Sequence, residues 1–199
     1  MKATLQLAHR ATYSEYLAVE RSSAHRHEFI DGVIVAMAGG SDEHNAIAGK
    51  VAMLLGQRAP AGCRYFTPDQ RFWIESTGRS RYSDGSLICG KPEHPPFDNQ
   101  ATTNPVLILE VLSPSSEEGD EGDKRRDFQS LPSLRTYILA SQDRRSVKLY
   151  RRDERGSWPS EPEVYLQGQS FEVPVLTAPL AVDDIYAGIL DVQGKSLLH

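Results

Sequence analysis

The segment PVLILEVL (105–112) limits this chain more than any other, because every residue in it except Glu110 is apolar. In an extended strand successive side chains point to opposite faces, so Val106, Ile108, Glu110 and Leu112 share one face while Leu107, Leu109 and Val111 share the other. A run that is apolar on both faces belongs in the middle of a covered sheet. Glu110 is then a carboxylate set in a greasy strand. Burying an unpaired carboxylate is expensive unless a metal, a hydrogen-bond donor or a cation compensates it. A structural ion pair would satisfy that need. So would a functional site, since perturbed acids gather at such sites.

Around this strand the sequence alternates helices and strands. Thr12 and Glu15 have the spacing of a capping box, which predicts a helix to about 19–21. Residues 27–39 read as two β-rich runs turning at Asp31-Gly32. Ser41 and Asp42 open a second helix, with Ile47, Val51, Leu54 and Leu55 at helical spacing and Pro60 and Gly62 beyond its end. Strands are predicted at 63–66, 70–75 and 82–89, followed by a Pro-rich loop into 105–112. A loop over 113–119 feeds a helix from near Asp120 to just before Pro132; strands at 134–140 and 147–151 turn at Gln142-Asp143. Short β pieces (163–166, 170–173) and a last amphipathic turn (182–189) complete the chain. With no repeat or linker, this order predicts a single α/β (α+β) domain over 1–199, its core at about 12–152 and a C-terminal addition at 160–190.

Composition excludes several classes. At 199 residues, 39% hydrophobic and 25% charged, the chain can build a sizeable core, so disorder and coiled coil are poor readings. No stretch has the length of a membrane span, and the N-terminus lacks a signal-peptide core. Cys63 and Cys89 alone make neither a disulfide framework nor a four-ligand zinc site, and a reducing, cytoplasmic setting is expected. A net charge of −5 counts against coating nucleic acid through an overall field. It leaves room for an enzyme that meets phosphate through metal ions and a local basic face. The basic residues of 144–155, with Arg125 and Arg126, read either as a solvated surface or as such a face.

The candidate chemistry starts from a second acid. Asp84 heads the apolar stretch that follows it, where an Asp alone reads as a turn or cap residue. Paired with Glu110 on a successive strand, it could close an oxygen-rich pocket at one end of a sheet. Mg2+ suits such a pocket, taking one or two carboxylates and completing its shell with water and phosphate. Lys124, one turn after Asp120, reads as an i,i+4 ion pair or as an amine reaching back to orient a water and offset charge on a phosphate. Glu28 is a surface acid or a further metal or water contact. His44 is a cap, a core residue or a phosphate contact.

Several motifs occur in order: T-Y-S-E-Y-L, H-E-F-I-D-G with the following A-M-A-G, a helix opening with His44, Y-S-D-G-S, L-E-V-L-S-P-S-S, D-E-G-D-K, L-P-S-L-R-T-Y-I-L and Q-D-R-R. Together they resemble the Uma family of restriction-endonuclease-like proteins, within the PD-(D/E)xK nuclease superfamily. The resemblance implies a restriction-endonuclease-like core, a mixed central β-sheet flanked by helices. It further implies hydrolysis of phosphodiesters with bound Mg2+, or Mn2+ in its place. Position by position, Asp84 stands for the motif Asp, Glu110 for the following acid and Glu28 for an additional acid of some members. Two departures stand out. Ser83 replaces the usual Pro, and the motif lysine would fall at Leu112, so Lys124 of the next helix is the match.

The resulting expectation is a Mg2+-dependent DNA endonuclease with Glu28, Asp84, Glu110 and Lys124 catalytic and the metal on Asp84 and Glu110. A homodimer is expected by analogy, since cutting both strands needs two centres. The rival expectation is the same fold without catalysis, as a nucleic-acid-binding or assembly module. A two-carboxylate sugar hydrolase ranks below both, because only 8% of the residues are aromatic.

Overall fold

Helix α1 (Tyr13–Ser22) starts as its capping box predicts: the Thr12 hydroxyl accepts from Glu15 N–H, and the Glu15 carboxylate accepts the Thr12 N–H at 2.7 Å. The computed structural model describes residues 10–113, 117–190 and 193–196. The stretch scanned for a signal peptide lies mostly outside them, as do Pro114–Ser116 of the S-P-S-S motif. Strands β1 (His27–Ile30) and β2 (Val33–Ala36) form the predicted hairpin. Asp31 and Gly32 turn it with φ of 51° and 80°, the left-handed pair that a tight two-residue hairpin requires. Helix α2 (Asp42–Arg58) is capped by Ser41 and buries Ile47, Val51, Leu54 and Leu55.

Strands β3 (Cys63–Phe66), β4 (Arg71–Ile74), β5 (Arg79–Tyr82), β6 (Gly85–Cys89), β7 (Ala101–Thr102) and β8 (Pro105–Leu112) follow. Then come α3 (Glu117–Glu121), α4 (Asp123–Gln129), β9 (Thr136–Ser141), β10 (Ser146–Arg151) and β11 (Glu163–Leu166). Strands β12 (Ser170–Phe171) and β13 (Leu180–Ala181) pair with each other before α5 (Val182–Tyr186). The larger strands sort into a six-stranded sheet, in the order β11-β10-β9-β8-β6-β3, and a five-stranded sheet, β2-β1-β5-β4-β7. Both are mixed: β8 runs parallel to β9 and β4 parallel to β7, while their other pairings are antiparallel.

The central strand takes the predicted place. On one face of β8, Leu107, Leu109 and Val111 pack with Ile47 and Val51 of α2 and Ile185 of α5. On the other, Ile108 and Leu112 meet Phe128 of α4 and Phe72 and Ile74 of β4. Each such side chain, once fully buried, contributes roughly 1.5–3 kcal/mol. The second face therefore joins the two sheets, with Phe128 of α4 in the same cluster.

Three features depart from the sequence reading. The strand predicted at 82–89 is two strands in different sheets: Tyr82 pairs with Arg71 in one and Gly85 with Leu109 in the other. The helix predicted from Asp120 is broken at Gly122, whose φ and ψ are −98° and −115°. Finally, Cys63 and Cys89 lie directly opposite each other on β3 and β6 and are joined by a disulfide. The expected reducing setting foresaw no such bond, and the register of two strands 26 residues apart creates it.

Candidate active site

Asp84 sits where the chain crosses from one sheet to the other. Its Oδ2 accepts the N–H of Val111 on β8 at 2.6 Å, and its Oδ1 lies 3.1 Å from Nε2 of His44. Burial opposes its ionisation, yet the His44 hydrogen bond, the charge of Lys124 and the Val111 N–H outweigh it and hold the carboxyl below its usual range. Gly85 allows the crossover to close: a Cβ there would stand 2.2 Å from the Tyr65 hydroxyl, which donates to the Asp84 carbonyl at 3.3 Å. His44 reaches Asp84 from the first turn of α2, and the Asp84 hydrogen bond holds its imidazole above the usual histidine value.

Glu110 is 1% exposed. The Lys124 amine lies 2.9 Å from its Oε1, an ion pair that gives this buried oxygen its partner. Complete burial pushes the Glu110 carboxyl well above the usual range; Lys124 opposes this, while Asp120 and Asp84 add to it. Burial would strip the Lys124 amine of its proton. The acids around it, Glu110, Asp120, Glu28 and Asp84, prevail and keep it charged. The same amine is 3.3 Å from Asp120 Oδ1, so the i,i+4 pair and the reach back to Glu110 are both present. Leu112, where the motif lysine would fall, is 4% exposed in the apolar cluster with Phe128. An ammonium there would be buried among hydrocarbon.

Glu28 joins this group from the five-stranded sheet. Its Oε2 accepts from Arg81 Nη1 at 2.8 Å and its Oε1 from Tyr82 N–H at 3.1 Å. All four sequence-predicted residues, Glu28, Asp84, Glu110 and Lys124, thus line one cavity of about 910 Å³. Its wall continues along the hairpin and the 36–40 segment to the start of α2. Sequence reading passed over Arg81, which lines the same cavity, and took Asp120 only as a pairing partner. The available signal for Arg81 was the alternation Arg79-Ser80-Arg81, which puts two guanidinium groups on one strand face.

The fit to a divalent ion rests on donor chemistry. Among the described residues, no three or more His, Cys, Asp or Glu gather in a metal-ligand group. Mg2+ does not need one: it is usually bound by one or two carboxylates and keeps its waters. An ionised Asp84 and the Glu110 carboxyl, lining the same cavity, supply that pair. The basic segments, by contrast, are engaged within the chain. Arg125 stacks over Tyr150, Arg126 pairs with Asp123, Lys148 with Glu121 and Arg151 with Glu163. Arg152 donates to the carbonyls of Leu131, Pro132 and Gly156.

Comparison with known proteins bears on the family and the fold. Residues 13–183 match the family model Uma2, "Putative restriction endonuclease". An uncharacterized protein of Synechocystis sp. (strain ATCC 27184 / PCC 6803 / Kazusa) is 33% identical over 179 residues, 88% of this chain and 90% of its own length. A second one from the same strain is 32% identical over 151 residues, covering 74% of this chain and 84% of that protein. Among solved structures, a "putative nuclease belonging to DUF820" from Anabaena variabilis superposes with a TM-score of 0.71 at 19% identity. It spans 90% of this chain and 99% of its own. At that identity the likeness concerns the fold.

Proposed function

The chain belongs to the Uma2 family, and on that footing we propose that it is a Mg2+-dependent nuclease that hydrolyses phosphodiester bonds of DNA. One observation carries the reading: the buried Glu110 carboxyl shares one cavity with an ionised Asp84 and a charged amine. Asp84 and Glu110 would hold the ion. Once bound, such an ion supplies a water of lowered pKa and a clamp on the scissile phosphate. The Lys124 amine would orient the attacking water and balance charge growing on the phosphate, in a low-dielectric setting where a fixed charge acts strongly. His44, on the wall of the same cavity, holds the Asp84 carboxylate. Glu28 accepts from Arg81 and the Tyr82 N–H, and it would act on the site through Arg81.

Cutting both strands with one centre per chain would require two copies, and a homodimer in a cytoplasmic setting belongs to this proposal. The rival reading is a catalytically silent module that binds nucleic acid or serves assembly. It is favoured by the Lys124 amine, which already pairs with Glu110. Plasmid cleavage with Mg2+ or Mn2+ separates the two. The wild type is expected to nick or linearise DNA, with Asp84→Asn and Glu110→Gln slower by at least about a hundredfold. Equal rates in all three proteins would remove these carboxylates from the chemistry, and no cleavage by any would leave the silent module.

A further inference from the structure

Two carboxylates grip Arg81 from different sides. Its Nε donates to Asp127 Oδ2 at 2.7 Å, its Nη2 lies 2.7 Å from the same oxygen, and its Nη1 donates to Glu28 Oε2 at 2.8 Å. Both anchors are themselves fixed. Asp127 accepts from Arg79 and Thr77, and Glu28 from the Tyr82 N–H. A guanidinium carries five N–H donors, and these contacts use three of them, which leaves two for another acceptor. The side chain is 6% exposed, yet it lines the cavity that holds Asp84, Glu110 and Lys124. Lys124 already pairs with Glu110 and Asp120, which leaves one of its three donors. Arg81 is therefore the planar cation of this wall with donors to spare, in a form suited to phosphate oxygens.

We propose that Arg81 contacts a phosphate of the nucleic-acid substrate and that Glu28 and Asp127 are positioning residues that fix its guanidinium. This rests on the nuclease reading and extends it. Glu28 then serves the site by aiming a cation, in place of binding an ion or a water. Holding the fork rigid beforehand lowers the ordering cost of each contact it makes.

The test uses the full chain and fluorescein-labelled single-stranded and duplex oligonucleotides in EDTA, with affinity read by anisotropy across a salt series. Losing one phosphate contact in Arg81→Gln is expected to weaken binding about tenfold. It should also flatten the slope of log K against log salt by about 0.7 for single strands or 0.9 for duplex. Arg81→Lys keeps the charge but not the fork. It should retain the slope and cleave at least about tenfold more slowly, with a wild-type thermal shift on adding Mn2+. Glu28→Gln should retain the slope and cleave several-fold more slowly. A wild-type slope in a folded Arg81→Gln would overturn the proposal. If that variant does not fold, wild-type cleavage by Arg81→Lys overturns it instead. Should the wild type bind no oligonucleotide, the nuclease reading fails first and takes this inference with it, an outcome distinct from a slope that is unmoved by the substitution.

Discussion

At the scale of single residues, Glu110 sets the behaviour of the site. Burial raises its folded pKa above the unfolded value of about 4.3, so the folded chain retains a proton there that the unfolded chain releases. Stability from this group is therefore full below the unfolded pKa and is lost as pH rises toward the folded one. A metal ion needs the ionised carboxylate and competes with that proton. The rise in Tm on adding millimolar Mg2+ or Mn2+ should thus be larger at about pH 8 than at about pH 6. Glu110→Gln should abolish both the rise and its pH dependence. A shift equal at both pH values would mean that the ion, if bound, does not displace the Glu110 proton. Glu110 was legible in the sequence because it interrupts an apolar strand, and Asp84, at the head of another, was singled out through its pairing with Glu110. Arg81 was not: charges alternating along a strand usually mark a solvent face. Here Glu28 and Asp127, distant in sequence, fold over that face and bury it.

At the scale of elements, the crossover between β5 and β6 does most to place the chemistry. Ser83 and Asp84 interrupt what reads in sequence as one strand, and the change of sheet is decided by partners, Arg71 for Tyr82 and Leu109 for Gly85. No local propensity encodes that choice, so the split was not foreseen. The hairpin and α1 were, because their signals are local: Asp31-Gly32 supplies the left-handed turn, and Thr12 with Glu15 the cap. Gly85 ties the crossover to function. Gly85→Ala would press a methyl to within 2.8 Å of Tyr65 Cζ as well as against its hydroxyl. The expected loss is about 1–3 kcal/mol, read from the urea midpoint, together with slower cleavage as Asp84 shifts. An unchanged midpoint would show that Tyr65 swings away at no cost and does not seat Asp84.

At the scale of the whole molecule, the site lies at the seam of two sheets. Glu28 and Arg81 come from the five-stranded sheet, Glu110 from the six-stranded one and Asp84 from the link between them. The apolar contact of Phe72 and Ile74 with Ile108 and Leu112 holds the sheets together beside it. The Cys63–Cys89 disulfide fastens β3 to the far end of the strand that Asp84 precedes. The fold class was legible from the order of elements, while the division into two sheets depended on the unforeseen β5. None of the described helices is long and apolar enough to cross a membrane. The net charge of −5 and the acids lining the cavity oppose a polyanion there, and a bound ion would add to the attraction that Arg81 and Lys124 supply. Crystals of the protein soaked in Mn2+ and measured at the manganese absorption edge test this most directly. The expected result is an anomalous peak between the Asp84 and Glu110 carboxylates with the Lys124 amine beside it; a map with no peak there at saturating Mn2+, or with the ion held only elsewhere, would contradict the metal-dependent site.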